Sequence, residues 1–209
     1  MLAQMGAALR LSPTPPPDKT CAELADMMAR REDIKAAAWA ENNRLKQARL
    51  ACVARDIRSV LAHLARRLVR IEAGIQQHVQ AHKPLRDGAG RLQTMPGIGP
   101  ILSAGLPELG SMDRRKIASL SGLAPHARDS GYFKGKRRIR GGRAHICRTL
   151  YLAAFIASRY DPTLKAFRNH LQDAGKPTKT AIIATARKLV TILNAMMKNQ
   201  CEYQKQALG

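Results

Sequence analysis

Between Thr20 and His82 the chain carries no proline and a single glycine, Gly74, which reads as one long stretch of helical composition. Ile34, Ala38, Glu41, Leu45, Ala48 and Cys52 step by four and three residues, and Ile57, Leu61, Leu64, Leu68, Ile71 and Ile75 repeat those steps in a shifted phase. Such steps draw a narrow seam of the coiled-coil kind. The break between Cys52 and Ile57 leaves two arrangements open: one long helix with a phase shift, or two helices folded back on each other. The second seam is the more apolar, and Arg55, Arg58, Arg66, Arg67 and Arg70 flank it. The pattern predicts a coiled-coil arm that dimerises or docks, with an ordinary core helix as the plainer alternative.

Charge says what the chain meets. Its 209 residues hold 36 Lys and Arg against 15 Asp and Glu, a formal net charge of +21. Residues 1–83 contribute 14 basic and 8 acidic side chains, and residues 84–209 contribute 22 and 7, so the second part alone carries +15. Nucleic acid is the partner such a balance favours. An apolar fraction of 45% argues against full disorder, and 4% aromatics in an Ala- and Leu-rich chain argue against an all-β fold. No run of eighteen apolar residues is present, and Met1 to Leu11 is too short and too weakly apolar for a signal peptide. No membrane partner is expected.

The expected fold is mainly α, a long coiled-coil arm followed by a compact helical domain. Residues 1–18 end in a proline-rich linker, 19–83 form the arm, and 84–205 form the domain, opened by Lys83-Pro84 and a cluster of glycines. Helices are predicted over about 113–121, 142–159, from Asp161-Pro162 to Gly175, and over 178–199, with short strands confined to 124–140. Cys21, Cys52, Cys147 and Cys201 lack the spacing of a zinc or redox motif and read as reduced thiols packed like small apolar residues. His78 and His82 share a helix face but have no third ligand, and read as surface residues. No metal site is predicted.

Two segments carry candidate chemistry. Met95-Pro-Gly97-Ile98-Gly99-Pro100 resembles the turn of a helix-hairpin-helix module, in which freed backbone N–H groups hold a phosphate without reading its base. From Lys134 to Arg148 there are seven basic residues and no acid, interleaved with glycines and preceded by Tyr132 and Phe133. That is the make-up of a groove that tracks a nucleic-acid backbone. Arg128, Lys134, Lys136, Arg137, Arg138, Arg140 and Arg143, with Gly97 and Gly99, are therefore the candidate DNA contacts. Ser130 precedes the run. Cations beside a serine hydroxyl could activate it and offset charge on a phosphoryl transition state, although a turn serine in Asp-Ser-Gly is the plainer reading.

The blocks Met95-Pro-Gly-Ile-Gly-Pro100, Leu120-Ser-Gly-Leu-Ala-Pro125, Asp129-Ser-Gly131, Lys134-Gly135 and Gly141-Gly142-Arg143 resemble, in order and spacing, the C-terminal domain of transposases of the insertion-sequence-110 family, also named with 116 and 902. That resemblance implies a DNA recombinase in which Ser130 is the nucleophile that attacks a DNA phosphodiester. It further implies a bacterial, cytoplasmic, nucleoid-associated protein that forms homo-oligomers through the coiled coil and works with a structured guide RNA. Family members begin with a RuvC-like domain whose four carboxylates bind divalent metal, expected as Mg. The present sequence starts at a segment like the one that comes after those carboxylates, so the expectation is a truncated transposase, inactive alone, with no cofactor of its own. The alternative is a non-enzymatic nucleic-acid-binding protein that uses the hairpin turn and basic groove for phosphate contact only.

Overall fold

The computed structural model describes residues 18–126, 129–130, 133–134, 138–139 and 141–204. Residues 1–17 of the expected linker and Lys205 at the end of the expected domain lie outside them. The chain is mainly helical, as its composition predicts, with eight α-helices among the described residues and four strands of two residues each.

The arm takes the second of its two arrangements. Helix α1 (Lys19–Gln47) and helix α2 (Ala51–Ala81) run antiparallel, pinned where His78 Nε2 meets the Thr20 carbonyl at 3.0 Å and where Arg31 Nε donates to Glu72 Oε1 at 2.7 Å. The five-residue step from Cys52 to Ile57 lies just past the reversal, inside α2. In one continuous helix it would turn the two seams onto different faces, whereas folding back lets each cover the other. The chain reverses at Ala48–Leu50, slightly before the break in the pattern, so Cys52 falls in the first turn of α2 and is exposed. Ile57 and Ile75 are buried, while Leu61, Leu64 and Leu68 are half-buried. At about 1.5 Å per residue, α2 is roughly 46 Å long.

The two long helices pack on the residues that follow them. Leu24, Met28, Ile75 and Val79 share a core with Ala89 of α3 (Lys83–Gln93) and Ala104 of α4 (Pro100–Ala104). His78 and His82 are half-buried at this junction instead of free on the surface, and His82 Nδ1 lies 2.8 Å from the His78 carbonyl. Cys21 and Cys147 are half-buried too, but Cys201 is exposed like Cys52. Packing as small apolar residues therefore describes only two of the four thiols.

The main core gathers α5 (Arg114–Leu120), α6 (Ala144–Tyr160), α7 (Pro162–Asp173) and α8 (Thr178–Asn199) around Ile117, Leu150, Leu164, Leu189 and Leu193. These helices match the expected segments because their ends carry local signals. Asp113 caps α5 by accepting the Arg115 and Lys116 amides at 2.8 Å, and buried Asp161 caps α7 by accepting the Leu164 amide at 2.8 Å. Helix α8 is long and apolar enough by composition to cross a membrane, and half of its apolar window is buried inside the molecule. It is the central core helix. After α8 the chain returns across the domain. The Tyr203 amide donates to Thr94 Oγ1 at 2.8 Å, and the Tyr203 hydroxyl donates to Asp161 Oδ2, which ties the end of the described chain to the α6–α7 corner.

Candidate nucleic-acid interface

The segment between α5 and α6 forms two short antiparallel ladders, one beyond the other. Strand β1 (Pro125–His126) pairs with β4 (Arg138–Ile139), placing Pro125 opposite Ile139 and His126 opposite Arg138. Further out, β2 (Asp129–Ser130) pairs with β3 (Phe133–Lys134), placing Asp129 opposite Lys134 and Ser130 opposite Phe133. Ser130 therefore sits at the outermost described ladder position, and only residues 131–132 separate it from β3. Lys134 and Arg138 occupy the returning side. Arg128, Lys136, Arg137 and Arg140 lie outside the described residues.

Glycines anchor this hairpin on the helical core. Gly142 lies against Gly122 so closely that a Cβ on Gly142 would stand 2.3 Å from the Gly122 amide nitrogen and 2.6 Å from the Ser119 carbonyl. Its φ of +67° is also a conformation that L side chains avoid. The Arg143 amide then donates to the Leu120 carbonyl at 2.9 Å, closing the base of the hairpin where α6 begins.

Arg143 is already engaged. Its guanidinium forms a two-pronged ion pair with Glu108, one contact being 3.2 Å. Two positions on, burial pushes the His145 imidazole below its ordinary value, and Arg143, Arg148 and Lys35 push it the same way against Glu32. Arg148 reaches back to Glu32 of α1 at 3.7 Å, and Glu32 also holds Arg31 at 2.8 Å. Cations that flank the hairpin are thus tied to carboxylates from the arm and from the loop after α4. Sequence reasoning missed the Arg143–Glu108 and Arg148–Glu32 pairs, because the partners in each lie far apart along the chain.

Gly97 and Gly99 stand in different surroundings. Gly97, at φ +86°, packs on α6, where a Cβ would come within 2.7 Å of the Ala153 carbonyl oxygen and 3.2 Å of the Ala157 nitrogen. Its lack of a side chain serves close packing against the Ala face of that helix. Gly99 is exposed, with open space where a Cβ would be, and starts a helix of only five residues.

Beside the hairpin base, a groove of about 450 Å³ runs between Leu123, Pro125 and Ile139 on one wall and Ile183, Lys179 and Arg187 of α8 on the other. The signal for its cations is legible in retrospect, since residues 174–201 hold five Lys and Arg and no acid.

The family description Transposase IS116/IS110/IS902 matches residues 89–169, the span that contains the Gly97 turn, the hairpin and α6. The chain belongs to this transposase family. It is 30% identical over 161 residues to an insertion element IS900 uncharacterized 42 kDa protein of Mycobacterium paratuberculosis, an overlap covering 69% of this chain and 39% of that one. The pilin gene-inverting protein of Moraxella bovis is 30% identical over 154 residues, covering 69% and 48%. The insertion element IS110 uncharacterized 43.6 kDa protein of Streptomyces coelicolor is 29% identical over 140 residues, covering 64% and 34%. The chain spans less than half the length of these relatives. Within the transposase fold, the blocks at Leu120–Pro125 and Gly141–Arg143, which carried the resemblance in sequence, meet in space at the Gly122–Gly142 contact.

Proposed function

We propose that this transposase-family chain binds DNA through the hairpin between α5 and α6, and that Ser130 is the nucleophile for strand cleavage. The observation that carries the reading is the hairpin register. It holds the Ser130 backbone at the outer ladder with Lys134 diagonal to it and Arg138 further back on the returning strand, within a segment that has no acid from Lys134 to Arg148. Phosphate bound along such a segment would lie beside the serine, with cations to offset the charge that develops on phosphorus. In the step itself the Ser130 hydroxyl gives up its proton and its oxygen forms a bond to phosphorus. The bond from phosphorus to one deoxyribose oxygen breaks, and that oxygen leaves as a hydroxyl after taking a proton. Exchange of one phosphoester for another conserves the bond for rejoining.

Among the described residues no group of three or more His, Cys, Asp or Glu converges to hold a metal ion. Self-association through the arm belongs to the same proposal, because Leu61, Leu64 and Leu68 stay half-buried in the two-helix pair and Val53, Val60 and Val69 are exposed. A structured RNA is a further expected partner, by family resemblance alone.

The test is a denaturing trap for a protein–DNA adduct, run on the chain alone and on the chain fused to the carboxylate domain of a family relative. The fusion is expected to yield an adduct. Ser130→Ala should abolish it while leaving DNA affinity within a few-fold, because one neutral hydroxyl adds little to binding dominated by phosphate charge. An adduct that persists in the alanine variant assigns the nucleophile elsewhere. The non-enzymatic alternative predicts binding without any adduct in either protein. For the hairpin itself, replacing Lys136, Arg137 and Arg138 together with Gln should flatten the slope of log affinity against log salt by about 2–3 units.

A further inference from the structure

We infer that α8 provides a second phosphate-contacting track, in which the groove rimmed by Lys179 and Arg187 receives the sugar–phosphate backbone of the nucleic acid held by the hairpin. The inference rests on the nucleic-acid reading of that hairpin and extends it to a helix outside the family-matched span of residues 89–169.

The groove's chemistry selects its occupant. Leu123, Pro125, Ile139 and Ile183 supply apolar surface, while the cations stand along the α8 side. Lys179 and Arg187 are exposed, and neither forms an ion pair among the described residues. Their environment differs from that of the other α8 cations. Lys188 turns onto the Phe167 ring, 4.5 Å from its centroid, and Lys198 lies in the last turn of the helix. Two rim charges that nothing in the described chain neutralises, over an apolar floor, fit a polyanion whose sugars also offer apolar surface.

The spacing fits as well. Lys179 and Arg187 are eight residues apart on one helix, about 12 Å along its axis, which corresponds to between three and four phosphates at about 3.4 Å of axis per strand. The groove is continuous with the base of the hairpin, since Pro125 and Ile139 form one of its walls and are also the paired residues of the inner ladder. A strand leaving the hairpin onto α8 meets no acidic side chain from that helix, because residues 174–201 contain none.

The experiment compares two double variants of the whole chain that remove the same charge. Lys179→Gln/Arg187→Gln takes it from the groove, and Lys188→Gln/Lys198→Gln takes it from the same helix outside the groove. Salt titrations with labelled duplex DNA and with labelled single-stranded RNA, supported by circular dichroism to confirm equal helix content, read the outcome. The groove pair is expected to flatten the salt slope with duplex DNA by about 1.4–1.8 units, and the control pair by less than half a unit. Flattening with the duplex supports the inference, and flattening with the RNA alone would overturn DNA as the occupant.

Equal effects of the two pairs, or no effect of the groove pair while the Lys136, Arg137 and Arg138 triple variant still flattens the slope, would overturn this inference and leave the hairpin reading standing. The reverse pattern, a groove effect with an unchanged slope in the triple variant, would overturn the hairpin reading and leave the groove. Poly-glutamate binding that the groove pair abolishes, with nucleic-acid slopes unchanged, would make the groove a site for acidic peptides and overturn the inference.

Discussion

Gly122 and Gly142 meet backbone to backbone, and the separation leaves no room for a methyl group on Gly142. The contact fastens the serine-bearing hairpin to the end of α5 and the start of α6. Gly142→Ala combines a left-handed conformation with a clash against backbone that cannot move aside, so a loss of roughly 2–4 kcal/mol is expected. Gly90→Ala is the control. Gly90 sits in the interior of α3 with open space around it, and alanine there should add about 0.5–1 kcal/mol through helix propensity. Urea unfolding of the two variants measures both, and equal stabilities would deny the Gly122–Gly142 contact.

The clasp at Tyr203 yields a second expectation. Asp161 is fully buried, and one of its carboxylate oxygens takes the Tyr203 hydroxyl. Burial first, and the Asp161 hydrogen bond and charge second, push the Tyr203 phenol well above its ordinary range. Tyr203→Phe leaves that oxygen buried without its partner and should cost about 1–3 kcal/mol. Denaturant midpoints check it; a change below a few tenths would mean that water replaces the hydroxyl.

Arg143 stands among the DNA contacts that the sequence suggests, and the structure pairs it with Glu108. A phosphate that reaches it must compete with that carboxylate. Arg143→Gln is therefore expected to leave the salt slope of DNA binding within half a unit, whereas Glu108→Gln frees the guanidinium and steepens the slope by nearly one unit. If Arg143→Gln flattens the slope as much as loss of a hairpin cation, Arg143 contacts phosphate directly.

His145 sets a pH dependence. Its folded-state proton affinity is depressed, first by burial and then by Arg143, Arg148 and Lys35. The unfolded imidazole takes up its proton near pH 6.5 while the folded one resists. The unfolded state then binds more protons, so this contribution is present above about pH 6.5 and is lost as pH falls. Thermal unfolding at pH 8.0 and 5.5 should show a smaller acid-induced drop for His145→Gln than for the parent. An identical drop would remove His145 from the pH response.

Much of the helical frame was legible in the sequence because its signals are local. Asp161-Pro162 marks the start of α7, Asp113 caps α5, and the apolar positions of α6 and α8 repeat at the period of a helix. The run of cations after Ser130 was legible for the same reason, as composition within one segment. What stayed hidden was how polar and glycine residues are used. The Pro-Gly-Ile-Gly turn reads as a phosphate cradle, and only the structure adds that Gly97 packs against Ala153 and Ala157.

The sequence by itself determined the helix content, the positions of most helices, the basic character of the second part and the family. Tertiary structure alone decided that the two seams fold onto each other, that Gly122 lies on Gly142, that Glu108 claims Arg143, and that Lys179 and Arg187 stand beside the hairpin base. The division has one physical cause. Helix periodicity and capping depend on residues a few positions apart, whereas a close backbone approach, an ion pair across 35 residues or a groove between a hairpin and a distant helix exists only once the core has brought the segments together.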